Sequence, residues 1–347
     1  MHDTAFASSR PRIRVAGEAR RDLQDALSAM IVNLPLTGCA HAELQLANFG
    51  QGEGQAPGLS FEDLRLGDEV ELAIDTDGEG RIFQGEITAL EERYGDGAPR
   101  LVLLLQDPLH RLGRRRRSRV FEDTTLDAVV RSVADDAGLE VEVSASTVAT
   151  DYHQLNESDL AFLLRLLAPL DIALRLEDGR LRVRPEEPDA TPVRVDPQDN
   201  ALQVRLIADL NHQHDATEVR GFNAATDQAA VASASTLATP PPGTTAAQLL
   251  GRLGWPGPEV VVQPFARSQG EADAFVAGRF RRRAKYFVSG DIRMLGQSAL
   301  RSGREIELAG VSGRLRGTYQ VVHCVHRFDN AAGYETELRV HRPDWND

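Results

Sequence analysis

Three constellations in the sequence carry residue types that could do chemistry. His212, His214 and Asp215 lie within a four-residue span and are types that bind zinc. If Leu206–Arg220 is extended, the two histidines share one face. One or two ligands from one segment fall short of the three or so a metal site needs, so a solvated loop or strand accounts for them. His323, Cys324 and His326 form a second group. Alternation along a strand sends Cys324 and His326 to one face and His323 to the other. A Cys–His pair could act as nucleophile and base, but a strand packing tyrosine, histidine and valine needs no chemistry. Cys39 is too remote in sequence to be set beside them. Glu157 and Asp159 could be paired carboxylates. A helix start explains them as well, since anions there gain about 0.3–1 kcal/mol from the positive helix end.

Other catalytic signatures are missing from the sequence. It has no Walker A pattern, no H-E-x-x-H and no paired C-x-x-C. Gly50–Gly54 is glycine-rich without a strand-to-helix setting and reads as a loop. Gly310-Val311-Ser312-Gly313 lies between strands and reads as a hairpin turn, not a nucleophile elbow. The expectation is a non-enzymatic protein with no catalytic residue, metal or cofactor.

Positive charge is concentrated in two runs. Arg111, Arg114, Arg115, Arg116, Arg117 and Arg119 have no acid between them. Arg279, Arg281, Arg282, Arg283 and Lys285 form the second run. Three readings stay open: an ion-paired or solvated surface, an interface with an acidic protein such as another copy of this chain, and a nucleic-acid contact. No aromatic platform is interleaved to favour the last. Arginine suits bidentate carboxylate pairing better than lysine does. The candidate interface residues are therefore Arg114, Arg115, Arg116, Arg117, Arg119, Arg279, Arg281, Arg282, Arg283 and Lys285.

The elements that hold these residues follow from an internal repeat. The chain has 347 residues, a net charge of −13 and one lysine, enough for two or three domains. Its acidity argues against a global nucleic-acid-binding field. Leu64–Leu72 and Leu300–Leu308 share the pattern L-R-x-G-x-E-(V/I)-E-L at an offset of 236. Phe83–Ile87 resembles Leu315–Tyr319 at an offset of 232, and both copies then run through a strand to a proline, Pro108 and Pro343. Ordered matches at nearly constant offset predict a duplicated domain. Val70, Leu72 and Ile74 alternate with polar neighbours, Asp77–Gly80 reads as a turn into Ile82–Leu90, and Leu101–Leu105 reads as a strand covered on both faces. Glu305–Leu308, Thr318–Arg327 and Tyr334–Val340 are the matching strands. Each copy predicts a small antiparallel barrel or sandwich. Apolar spacing predicts helices at 18–30 and 270–285.

A different module lies between the copies. Phe121–Thr124 precedes a helix carrying Leu126, Val129, Val130 and Val133, with Gly138 as its stop. Asn156–Asp159 opens a second helix that ends at Pro169. Ile172–Val183 reads as a hairpin turning at Asp178-Gly179. The expected fold is mainly β with an α+β insert: two duplicated antiparallel barrels flanking a small α+β domain. The boundaries are 10–117, 118–190 and 191–343, with a long loop near 224–260 around Pro240–Pro242.

Tyr152–Leu163 resembles the Y-x-Q-x-x-E-S-D-x-x-F-L segment of the phage late-control protein D and VgrG-like baseplate hub family. Gly317-Thr318-Tyr319, His326 and Gly333–Thr336 resemble that family's G-x-Y…H…G-Y-x-T pattern, and Phe121–Gly138 resembles its F-x-x-x-T helix. The resemblance implies tube-like barrels, a homotrimer with pseudo-six-fold symmetry, and a connector between a hexameric inner tube and a trimeric spike. Implied partners are the spike protein, the inner tube protein and other baseplate components. Nucleic acid would enter only as cargo in the lumen. The resemblance also implies that hubs often continue into a spike β-helix; this sequence stops at Asp347, so a separate spike protein is expected. Neither a signal peptide nor a membrane-spanning run is visible, so synthesis in the cytoplasm and assembly into a virion or tail-like particle are expected. Two other classes are a tail-associated cell-wall-degrading enzyme and a receptor- or carbohydrate-binding β protein. The first would need a carboxylate pair or metal site. The second would need clustered aromatics, and aromatics make up only 5% of the chain.

Overall fold

A computed structural model describes residues 10–50, 58–74, 80–95, 97–145, 147–186 and 191–347. The first copy contains helix α1 (Arg21–Ala26) and strands β1 (Leu27–Pro35), β2 (His41–Ala47), β3 (Glu69–Ala73), β4 (Arg81–Arg93) and β5 (Arg100–Gln106). The middle module holds β6 (Arg116–Thr124), α2 (Leu126–Asp136), β7 (Thr150–Ser158), α3 (Asp159–Leu167) and the hairpin Ala173–Glu177/Arg180–Arg184. The second copy follows with β8 (Ala201–Ala208), α4 (Ala246–Leu253), α5 (Gln269–Lys285), β9 (Val288–Leu295), β10 (Glu305–Leu308), β11 (Gly317–Asp329) and β12 (Gly333–Arg342).

The main sheet has the strand order β8-β9-β12-β11-β1-β2-β5-β4-β3 and continues to Arg12–Val15. The run β8-β9-β12-β11 repeats the run β1-β2-β5-β4, antiparallel throughout. Irregularities recur too. Ladder shifts fall at Thr88 in β4 and Val322 in β11, and at Ser28 in β1 and Leu202 in β8. The two runs meet edge to edge where β11 pairs with β1. The fold is thus mainly β and antiparallel, as expected.

The pairing corrects one detail of the repeat. Leu72 faces Phe83, whereas its counterpart Leu308 faces Gly317. Phe83 therefore corresponds to Gly317, an offset of 234 rather than 232. An even slip leaves every side chain on its own face, so side-chain character alone could not detect it.

Each copy has its own core. Leu23, Leu27, Met30, Leu44, Val70, Leu72 and Leu103 fill the first. Phe287, Ile292, Met294, Ile306, Tyr319, Val321, Cys324 and Leu338 fill the second. The middle core gathers Leu126, Val129, Val133, Phe162, Leu163, Leu174 and Val183. α2 is capped by the Thr125 hydroxyl, one residue after the expected Phe121–Thr124 stretch, which is strand instead. The Asp178-Gly179 turn has φ of 49° and 81°, the left-handed pair that a tight hairpin needs.

Several expectations change. The helix predicted over 18–30 is only Arg21–Ala26, and Leu27 onward is strand. The β-branched Ile31-Val32 pair favours extension, and the same apolar residues are buried either way. Leu101–Leu105 is not covered on both faces, since Leu104 is 37% exposed. The expected loop near 224–260 holds a strand (Gln228–Ala234), α4 with a Thr245–Gln248 capping box, and a strand (Glu259–Val261). Alanines dominate that first strand, so it lacked the bulky alternation that marks strands in sequence. Residues 51–54 of the glycine-rich stretch and most of the Asp77–Gly80 turn lie outside the described residues.

His326 anchors the second core. Its Nε2 lies 3.0 Å from the Leu300 carbonyl, and its Nδ1 lies 2.8 Å from the Tyr334 hydroxyl. A carbonyl only accepts, so Nε2 donates to it and Nδ1 accepts from Tyr334. Burial pushes His326 down to about 4 and His341 down to about 3. Unfolded imidazoles titrate near 6.5, so below that value the unfolded chain binds more protons. Their contribution is complete above about pH 6.5 and is lost as pH falls through the folded values. Urea midpoints should drop steadily between about pH 6.5 and 4, and His326→Gln should flatten part of that slope. A pH-independent midpoint would contradict this.

Candidate functional site

The arginine runs are mostly spent inside the molecule. β6 pairs with β7 from Arg116 onward, two residues before the expected module start at 118. Arg117 and Arg119 both reach the Asp136 carboxylate at 2.7 Å. Arg119 also donates to Gln154 Oε1 at 2.8 Å and to Asp159 Oδ1 at 3.0 Å. Gln154, fully buried, completes the group by donating to Asp159 at 2.9 Å. Hydrogen bonds from Arg119 and Arg117 hold the Asp136 carboxyl below the usual carboxylate range. Arg116 donates to the Asn156 carbonyl, and Arg111 pairs with Glu86.

The second run is similar. α5 carries Arg279 and Arg283, which both bind Glu259, and Arg281 and Lys285, which both bind Asp171 at 2.9 Å. Burial raises the Glu259 carboxyl, but the hydrogen bonds and charges of Arg279 and Arg283 outweigh it and leave it low. Gly278 lets α5 sit against Pro169 and Leu170, where a Cβ would come within 2.4 Å of the Pro169 carbonyl oxygen. The helix is a strut between the middle module and the Gln228–Val261 lobe. Within the described residues, only Arg114, Arg115 and Arg282 of the ten candidates have no side-chain hydrogen bond or ion pair, and all three are exposed. The sequence missed the acids because Asp136, Asp171 and Glu259 lie far from the runs that they neutralise.

The other candidates resolve into packing. Ser158 caps α3, Glu157 pairs with Arg165, and Asp159 is buried under Arg119. The carboxylates of the proposed pair thus serve separate partners. His214 Nδ1 and Asp215 hold the Gly257 backbone in a loop, so the segment is not extended there. Cys324 lies 3.5 Å from His326, both buried, while Cys39 sits beside Asp107 instead. Burial raises the Cys324 thiol, the opposite of nucleophile activation. Among the described residues, no three His, Cys, Asp or Glu side chains are grouped to hold a metal. No helix among them is long and apolar enough to cross a membrane.

The model of the phage tail baseplate hub (GPD) family matches residues 36–332. The chain belongs to this family. The hub family's Y-x-Q-x-x-E-S-D-x-x-F-L segment is, in this chain, the β7–α3 junction that locks Arg119 and caps α3. Solved structures agree in fold. The 43 kDa tail protein of prophage MuSo2 from Shewanella oneidensis is 13% identical with a TM-score of 0.73, covering 96% of this chain and 98% of that one. A tail protein from Neisseria meningitidis MC58 is 14% identical with a TM-score of 0.65, covering 96% of each chain. The E. coli c3393 protein, a component of the type VI secretion system, is 12% identical with a TM-score of 0.59, covering 91% of this chain and 73% of that one. No curated protein matches the sequence. The chain is a baseplate hub protein, and hubs of this family are structural tail components.

Asp159→Ala should cost about 2–3 kcal/mol, because it removes the buried carboxylate that accepts from Arg119 and Gln154 and leaves both donors unpaired there. Arg114→Glu with Arg115→Glu should leave stability within about 0.5 kcal/mol. Urea denaturation checks both, and equal losses would contradict the assignment.

Proposed function

We propose that this chain is the protomer of a trimeric hub that joins a six-fold inner tube to a three-fold spike. The observation that carries this is the duplicated four-stranded unit, laid edge to edge within one sheet. A trimer of such chains offers six near-equivalent units, which matches a hexameric tube without breaking symmetry. The two units correspond to tube-like domains at 10–117 and 191–343, with the α+β domain at 118–190 on the outside of the ring. Assembly, rather than catalysis, is the activity. The partners are the inner tube protein, the spike and other baseplate components. Of the two basic runs, Arg114, Arg115 and Arg282 are the residues left free, among the described residues, to meet them. The lumen passes cargo.

Light scattering of the purified chain, alone and with its spike protein, tests this. The expected mass is three chains. A monomer in both preparations over the accessible concentration range contradicts it. Against the purified inner tube, Arg114→Glu/Arg115→Glu/Arg282→Glu should weaken capture at least about tenfold while preserving the trimer.

A further inference from the structure

A cavity of about 170 Å³ lies between α5, the start of α4 and the strand Thr217–Asn223. Leu237, Pro240, Pro241, Phe280 and Ala284 give it a wall mainly of carbon. An apolar cavity of about 150 Å³ is roomy enough for a benzene ring. Water filling such a space would find few partners, since each buried water needs about two to four polar groups.

The polar groups on this wall lack partners. Thr217 lines the cavity and is fully buried. It shares with Val219 the strand face that packs on α5. Its Oγ1 has no hydrogen bond among the described residues. Arg283, also on the wall, has a buried Nε that is unpaired in the same way, while its Nη2 donates to Glu259 at 3.2 Å. The capping box of α4 occupies the Thr245 and Gln248 N–H groups. The N–H groups of Ala246 and Ala247, two further wall residues, have no hydrogen bond among the described residues. They form the positive end of the helix, which favours an anion. Buried polar groups are normally hydrogen-bonded, so unused donors along one mainly apolar space call for an acceptor.

We propose that this cavity holds the C-terminal residue of a partner polypeptide, one with an apolar last side chain and acidic residues before it. A terminal carboxylate only accepts, so it suits Thr217, Arg283 and the start of α4 as donors. The last side chain fills the apolar remainder. A second groove of about 420 Å³ shares Gln213 and Arg283 with the cavity and gives the preceding residues a track. Its wall sets Arg279, Arg282 and Arg283 against one acid, Asp209. Glu259 offsets one charge of Arg279 and Arg283, and Arg282 has no side-chain partner among the described residues, so the balance stays positive. Charge of that sign steers and orients an acidic tail. Each chain carries the whole site, so this reading does not depend on the trimeric ring.

Fluorescence anisotropy tests the site, using the full-length chain and a labelled hexapeptide of four aspartates followed by glycine and leucine. The free C-terminus should bind at least about tenfold more tightly than the amidated one. Thr217→Val removes only the hydroxyl and should weaken the free peptide about three- to tenfold without lowering the thermal midpoint. Ala247→Leu fills the cavity and should abolish binding. Arg282→Glu should weaken the peptide but leave N-acetyl-leucine, a competitor that occupies the cavity alone, unchanged. Equal binding of the free and amidated forms, or no binding up to about 1 mM peptide, overturns the proposal. A Thr217→Val chain with a lower midpoint and unchanged affinity gives the hydroxyl to a bound water and overturns it too. N-acetyl-leucine binding as tightly as the hexapeptide overturns the polypeptide occupant.

Discussion

One backbone interaction organises the molecule: the antiparallel pairing of His323–Asp329 with Ala29–Pro35. It joins residues almost 300 positions apart in sequence and makes one sheet from two copies of a four-stranded unit. Each copy buries its own apolar core, and the two interlock where Phe328 of the second copy enters the first core and Leu34 of the first packs against the second. What the junction supplies is partners for backbone donors and acceptors along both edges. It also fixes the relation of one unit to the next. A repeated relation of this kind is what a ring with more units than chains requires.

Ion pairs hold the middle module together and tie it to α5. Arg117 and Arg119 bind Asp136 and Asp159 within the module, while Arg281 and Lys285 of α5 bind its Asp171. The same helix holds Glu259 through Arg279 and Arg283. Most of the positive charge in the two runs is therefore structural. Of the ten candidate cations in the two runs, only Arg114, Arg115 and Arg282 lack a side-chain partner among the described residues.

Much of this architecture was legible in the sequence, for identifiable reasons. The L-R-x-G-x-E-(V/I)-E-L repeat marks strands whose turn and alternation are both local, so duplication was readable. The caps at Thr125 and Ser158 and the Asp178-Gly179 turn are likewise local signals. Long-range pairings were not readable. No feature of the arginine runs pointed to Asp136, Asp171 or Glu259, and no feature of Leu27–Met30 separated an amphipathic helix from a buried strand. The alanine-rich strand Gln228–Ala234 packs through small side chains against α5, with Gly221 admitting the Ala266 carbonyl nearby. Such close packing leaves no hydrophobic period to detect.

The central claim is that the relation between the two units inside the chain is repeated between chains. An electron-microscopy map of the assembled hub, resolved well enough to separate strands, tests it most directly. The account predicts an uninterrupted β wall around the lumen, in which the seam between chains looks like the β11–β1 seam within a chain. A map in which chains meet through their helices, with β8 and the end of β4 left open to solvent, would contradict it.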